Sequence, residues 1–362
     1  MHPSSLLRLP AAATRLLLAA LLCASTGQTA IAQEAFEWSG PFLARLAQLD
    51  RQTPGHLGVY VKDMQTGISV SYHGEEPWYL ASTVKVPVAI AVMRRIEQDE
   101  LTLDSPVALL ASDYVDGAGP TNSHAPGKAL SVRFLLDQML IHSDNTASDM
   151  LIRLVGIEQV NAVAQELAPE GLGPITSLAD VRRLIYGELH PAARQLSGKD
   201  FLALRQQPND AGRLALLPRL LGVERRTLAS ISLNEAYERY YATPYNSGTL
   251  KAYGDVLSAL EAGTALGPAS TGYLLSVMRR VETGKQRIKA GLPPGTGFAH
   301  KTGTQRARIC DAGLVDQPDS DSALSTRLVI VACVRGVASA AQAERALRGT
   351  GEAVTAAGLI RR

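Results

Sequence analysis

The 362-residue chain has little of what marks several common classes of protein. It holds only three cysteines, and a chain of this length buries a core that needs no disulfide or metal staples. Charge of one sign is not in excess: 36 Lys and Arg face 34 Asp and Glu, and the basic residues fall singly or in pairs such as Arg94-Arg95 and Arg182-Arg183. That scatter excludes the basic face of a nucleic-acid binder. The seven histidines form no H-x-x-x-H or H-x-H pair, so no metal site is expected, and no Gly-rich phosphate loop is present. No cofactor is expected either. What remains is an ordinary globular composition, 46% hydrophobic and 19% charged.

The longest apolar run is near the start, where Arg8 and Arg15 precede Leu16–Ala24 and the small-residue exit Ala30-Ile31-Ala32 follows. It is shorter than the roughly 20 residues that cross a bilayer, so it reads as a secretory signal peptide (residues 1–32) cleaved after Ala32. A periplasmic or secreted protein without stable membrane insertion is expected. With that segment's two arginines removed, 34 basic residues would face 34 acidic ones. Cys23 leaves with it, and Leu22 before it does not suit a lipid-attachment site. Cys310 and Cys333 remain, in an oxidising compartment.

Periodicity orders the rest into one unit, residues 33–362. An amphipathic helix is predicted at Pro41–Leu49, then a hairpin of His56–Asp63 and Ile68–Tyr72 around the turn Gln65-Thr66-Gly67. Helical spacing dominates from Ser82 to about Thr264. Strands return at Phe298–Gln305, Arg308–Val315 and Arg327–Val334, before an Ala-rich helix from Ala338 to about Ala357. This predicts an α+β fold: an antiparallel sheet built from both chain ends (about 41–80 and 265–362), flanked by helices, with an inserted all-helical lobe (about 81–264).

Three short patterns carry chemistry. Ser82-Thr83-Val84-Lys85 opens the apolar segment Val86–Met93, where a Ser hydroxyl gains from free N–H groups at a helix start and Lys85 lies one turn away. A partly desolvated Lys can accept the Ser proton. Ser143-Asp144-Asn145 sits between two helices, where polar side chains can point into a cleft. Lys301-Thr302-Gly303-Thr304 falls on a strand: Lys301 and the two hydroxyls offer a carboxylate site, and Gly303 suggests a substrate lying close along the edge.

In the order S-x-x-K, S-D-N, K-T-G the three form the known signature of class A β-lactamases and penicillin-binding proteins. The chain resembles the class A serine β-lactamases over roughly two-thirds of its expected mature length, including Thr283-Gly284-Lys285-Gln286-Arg287-Ile288 before the third motif. The resemblance implies that family's five-stranded sheet and a monomer acting on a β-lactam or cell-wall peptide. It implies Ser82 as nucleophile, Lys85 as its proton acceptor, Ser143 as proton donor to the leaving nitrogen, and Asn145 as the contact for the acylamido side chain. Lys301, Thr302 and Thr304 would hold the substrate carboxylate. The backbone N–H groups of Ser82 and Thr304 would form the oxyanion hole, worth about 3 kcal/mol per donor.

The chain also departs from the family. The family's deacylating Glu lies three residues before a Leu-Asn pair on its omega loop. Here Leu233-Asn234 is preceded by Ser230, whose hydroxyl is far too weak a base. Glu224 and Glu235 are the nearest acids and the candidates for a relocated base. An expansion at about 171–226 has no counterpart in the resemblance; it contains a capped helix start at Ser177–Asp180 and helix candidates at Lys199–Gln206 and Ala211–Leu221. His142 and His300 adjoin motifs and read as packing residues. Three functions follow: a β-lactamase, favoured by the full S-D-N motif; a D,D-peptidase-like enzyme; or a sensor that stays acylated. The missing Glu favours the last two. Cys310 and Cys333 fall near opposite ends of neighbouring antiparallel strands, and either a cross-strand disulfide or two buried thiols fits that placement.

Overall fold

A computed structural model describes residues 38–317 and 326–360. The expected signal segment lies outside the described residues. Among them, no helix is long and apolar enough to cross a membrane.

Helix α1 runs through residues 38–52 and leads into β1 (His56–Asp63), β2 (Ser69–Tyr72) and the short β3 (Trp78–Tyr79). The lobe then opens with a 3-10 turn, Ala81–Val84, continuous with α2 (Lys85–Glu97). After β4 (Pro106–Ala108) and β5 (Ala129–Ser131) come α3 (Val132–Ile141), α4 (Asn145–Val155), α5 (Ile157–Leu167) and α6 (Leu178–Gly187). Next are α7 (Gly198–Arg205), α8 (Asp210–Leu221), α9 (Leu233–Tyr241), the short β6 (Ser247–Gly248) and α10 (Leu250–Glu261). Helices α11 (Pro268–Arg279) and α12 (Ile288–Gly291) return to β7 (Gly297–Gln305), β8 (Arg308–Gln317) and β9 (Thr326–Arg335), and α13 (Ala340–Ala356) closes the fold.

The predicted sheet is there: five antiparallel strands in the order β2-β1-β9-β8-β7, with β7 at an edge. Its middle strand shows why it holds. Leu328, Ile330, Ala332 and Val334 pack with α1 and α13, while the alternate residues Val329, Val331 and Cys333 join the core of the lobe. Side chains alternate across a strand, so a nearly unbroken apolar run buries both faces. The lobe is helical apart from two ribbons, β4 with β5 and β3 with β6. Its axis is α2, whose residues Lys85–Met93 are all buried, as a helix apolar on every side requires.

The expansion becomes α6, α7 and α8 with their caps. Ser177, Ser197 and Asn209 each accept the backbone N–H three residues on, at 3.0, 3.4 and 2.9 Å.

The register of β8 on β9 sets Cys310 directly opposite Cys333, and the two form a disulfide with Cα atoms 4.0 Å apart. Bridging residues 23 apart in sequence restricts the unfolded chain by about 3 kcal/mol in the chain-entropy picture. Replacing both cysteines with alanine should therefore lower unfolding free energy by about 3 kcal/mol, measured by denaturant titration. Denatured, unreduced protein without residues 1–32, and hence without Cys23, should show no free thiol. Two free thiols would remove the bridge.

Candidate active site

The three motifs meet at a cleft of about 640 Å³ between the sheet edge and the lobe, a size typical of small-molecule sites. Ser82 lines it from the 3-10 turn. Ala81 before it has φ +50°, a left-handed conformation costing a residue with a Cβ about 1 kcal/mol or more. The turn is clamped on two sides. Tyr253 Oη donates to Thr83 O at 2.8 Å, and β7 passes so close that a Cβ on Gly303 would lie 2.6 Å from Leu80 O. Gly303 thus admits the Ser82 turn to the strand, where the sequence suggested a substrate along the edge.

Lys85 has no solvent exposure. Its Nζ donates to Ser143 O at 2.7 Å and to Asn145 Oδ1 at 2.8 Å, and lies 3.3 Å from Ser143 Oγ. Burial lowers its pKa to about 7, against the opposing pull of Asp144 and Asp149 and with a smaller push from Arg182. Lys301 is equally buried and lowered well below the ordinary lysine range, first by burial and then by Lys85 and Arg287. It donates to Ser143 Oγ at 3.0 Å and to Thr302 O at 2.9 Å. Ser143 Oγ therefore faces two amines, and where both donate to it, its own proton is left free for the cleft.

This convergence is held from below. Ser143 has φ +61°, a second left-handed residue at the site. Asp144 caps α4 through Ala147 N at 2.9 Å and takes Thr121 N at 2.9 Å on its other oxygen. Asn145 Nδ2 donates to Asp116 O at 2.7 Å. Gly117 and Gly119 let that loop approach, since a Cβ would come within 2.3 Å of Asn145 and 2.1 Å of Asp144. On the sheet side, Arg287 is buried and donates to Thr304 Oγ1 at 2.7 Å and to the carbonyls of Gly303 and Cys310. Thr302 Oγ1 meets Thr283 Oγ1 at 2.5 Å.

Ser230, Glu224 and Glu235 stand elsewhere, and the relocated-base expectation needs correction. Ser230 is exposed. Glu224 pairs with Arg226 and Glu235 with Arg239, with the acids 67% and 52% exposed, and neither lines the cleft. Leu233-Asn234 belongs to the start of α9, capped when Ser232 Oγ accepts Glu235 N at 3.1 Å. A helix start of the same kind, Ser177-Leu178, begins α6. Buried Asp149 binds that start, accepting Leu178 N at 2.7 Å and Ala179 N at 2.8 Å, and burial raises its own pKa to about 7. One turn on, α6 presents Arg182 to the cleft, where its guanidinium meets Asp116 at 2.6 Å. Asp116 is the one carboxylate among the described lining residues.

Sequence reasoning missed four contributors: Asp116, Arg182, Thr283 and Arg287. The first two come from segments 66 residues apart and leave no local pattern. The last two stood in the stretch preceding the third motif, with no role assigned. His142 is half-buried, 3.5 Å from Glu282. His300 is buried, with Nδ1 2.7 Å from Asp311 Oδ1 and its ring against Phe298. Asp50, His56 and His73 bring ligand atoms within 4.8 Å of one another outside the cleft, but Asp50 is engaged by Leu57 N and Tyr72 Oη.

The fold is that of the class A β-lactamases. An ancestral class A β-lactamase superposes with a TM-score of 0.64 at 22% identity, over 87% of this chain and 99% of the other. The structure of PBP-A superposes at 0.65 and 20% identity, over 88% and 95%; a PBP-A mutant is also known as an acyl-enzyme complex with penicillin G. The sequence profile of the beta-lactamase enzyme family matches residues 41–357, and the chain belongs to that family. It is 32% identical to the ROB-1 β-lactamase of Haemophilus influenzae over 127 residues, 35% of this chain and 41% of that protein's length.

The lowered pKa of Lys85 has a kinetic consequence. A depressed amine pKa means that the free base accumulates as pH rises through about 7. Acylation of Ser82 by a penicillin, followed by rapid-quench mass spectrometry, should rise with pH about a midpoint near 7 and level off above it. Lys85→Ala should slow it by about 10²–10⁴-fold and remove the pH dependence. A native rate flat from about pH 5.5 to 8.5 would take Lys85 out of proton transfer.

Proposed function

We propose that the chain is an exported serine hydrolase that is acylated by β-lactams at Ser82 and releases the resulting ester slowly. Ser82 Oγ attacks the lactam carbonyl carbon while its proton passes to the Lys85 amine. The oxyanion is met by the N–H groups of Ser82 and Thr304; Ser82 is second in a helical turn, where N–H groups have no acceptor within the helix. As the C–N bond breaks, the nitrogen takes the Ser143 proton and Lys85 returns one to Ser143. Lys301, Thr302 and Thr304 bind the substrate carboxylate, with Arg287 orienting the Thr304 hydroxyl. Asn145 contacts the acylamido group.

The observation that carries this reading is the meeting of both lysine amines on Ser143 Oγ, at 3.3 and 3.0 Å, in the cleft that Ser82 lines. Slow release rests on Asp116 and Arg182. Hydrolysis needs a base for water, and Asp116 is held by a guanidinium at 2.6 Å. The same feature favours a second reading, a D,D-peptidase-like enzyme of cell-wall peptides that β-lactams trap. Export is supported by the Cys310–Cys333 bridge, since disulfides persist in oxidising compartments.

A chromogenic cephalosporin followed by absorbance and intact mass together separates these cases. The expected result is a burst equal to the enzyme concentration, with an adduct that persists for minutes and is lost in Ser82→Ala. Steady turnover without an adduct would make the chain an efficient β-lactamase, and no adduct with any β-lactam would overturn the assignment. Release of D-alanine from a peptide ending in D-Ala-D-Ala would favour the peptidase reading. Ser230→Glu should leave the adduct's lifetime unchanged, because that residue is exposed and does not line the cleft.

A further inference from the structure

The outer wall of the cleft is built by the expansion together with the β7–β8 turn, and it is cationic. Arg205 at the end of α7, Arg213 in α8 and Arg306 in the β7–β8 turn all line the cavity. Arg306 makes two 2.7 Å bonds to Asp210, and Arg213 shares the same carboxylate at 3.0 Å. Two guanidiniums thus stand on one acid. Arg205 is exposed, and among the described residues no ion-pair partner stands beside it. The wall therefore carries positive charge that its own acids do not neutralise. Tyr237 fixes part of it, with Arg306 over its ring at 4.9 Å.

The wall's place along the strand says which part of a substrate would meet it. Lys301, Thr302 and Ser143 mark the end of the cleft for the leaving side. Continuing along β7 past Thr304, two residues or roughly 7 Å bring Arg306, so this end faces the acyl side. We propose that Arg205, Arg213 and Arg306 form an acyl-side subsite for a carboxylate, making the preferred acyl donor one with an acidic group a few atoms from the reacting carbonyl. The subsite deepens the proposed function and rests on its placement of the acyl group. Guanidinium forks suit carboxylates, and charge-assisted contacts of this kind are worth about tenfold or more in affinity.

Benzylpenicillin and its α-carboxy analogue, carboxybenzylpenicillin, differ by one carboxylate at about that distance. Their dissociation constants would be measured by calorimetry on Ser82→Ala, which binds without acylation, and on Ser82→Ala with Arg205→Ala or Arg205→Glu. The carboxy compound is expected to bind about tenfold tighter to Ser82→Ala, with the preference shrinking in Arg205→Ala, reversing in Arg205→Glu, and weakening as salt is raised from about 20 to 300 mM. Equal or weaker binding of the carboxy compound, or a preference that survives Arg205→Glu, would overturn the subsite. Acylation of the native chain by benzylpenicillin is followed in parallel. Its failure would count against Ser82 chemistry, whereas the ratio of dissociation constants judges the subsite alone.

Discussion

A lysine amine sealed from water, held between Ser143 O and Asn145 Oδ1, is the constraint around which this site is built. Burying an ammonium costs several kcal/mol unless its protons find acceptors, and the same burial lowers its pKa to about 7. The acceptors must come from another segment, because α2 spends its own carbonyls on its helix. The loop before α4 supplies them only by taking a left-handed turn at Ser143. That turn is held by the Asp144 cap, and the cap by a loop that two glycines allow to pass. Each step exists so that one amine can be both buried and satisfied.

Such a site needs a rigid frame. Two left-handed non-glycine residues and two buried lysines all oppose stability, and each costs on the order of 1 kcal/mol or more. Against them stand a sheet buried on both faces and a central helix buried all round. The disulfide lies close to this balance. Cys310 pairs in register with Gly303, and its Sγ is 3.6 Å from Tyr79 O, two residues before the strained Ala81. Arg287 binds the carbonyls of both Gly303 and Cys310, so one guanidinium ties the bridge to β7.

Much of this could be read from the residues because it obeys local rules. The run Arg327–Val334 reads as a strand from composition alone, and β9 extends it by one residue at each end. The Ser177 cap marked the start of α6, and the helix candidates at 199–206 and 211–221 fall within a residue of α7 and α8. The loop equivalence failed for a related reason. A Ser-Leu helix start occurs twice, at Ser177 and Ser232, and capping looks alike wherever it stands; only Asp149, buried against the first, shows which one faces Lys85. Gly303 was legible as a close approach but not in its partner, since nothing in a strand sequence says what will lie against it. The Asp116–Arg182 pair was out of reach altogether, being a contact between distant segments with no periodicity to mark it.

In the proposed function, that pair also bears on how acylation and release would pull against each other. A free carboxylate near Lys85 would stabilise the ammonium and raise its pKa, as Asp144 and Asp149 already do. It would offer the hydrolytic water a base at the cost of leaving Lys85 more often protonated and unable to take the Ser82 proton. Arg182 does the opposite. Its charge pushes the Lys85 pKa down, favouring the free amine that acylation needs, while its bond to Asp116 occupies the cleft's carboxylate. In the proposed mechanism a single guanidinium on α6 would therefore act in the same sense on both half-reactions, its push on Lys85 being small beside that of burial. An efficient β-lactamase needs both halves fast and must separate the two effects. On the function proposed above, this cleft would couple them, and the slow release of the ester would follow from that coupling.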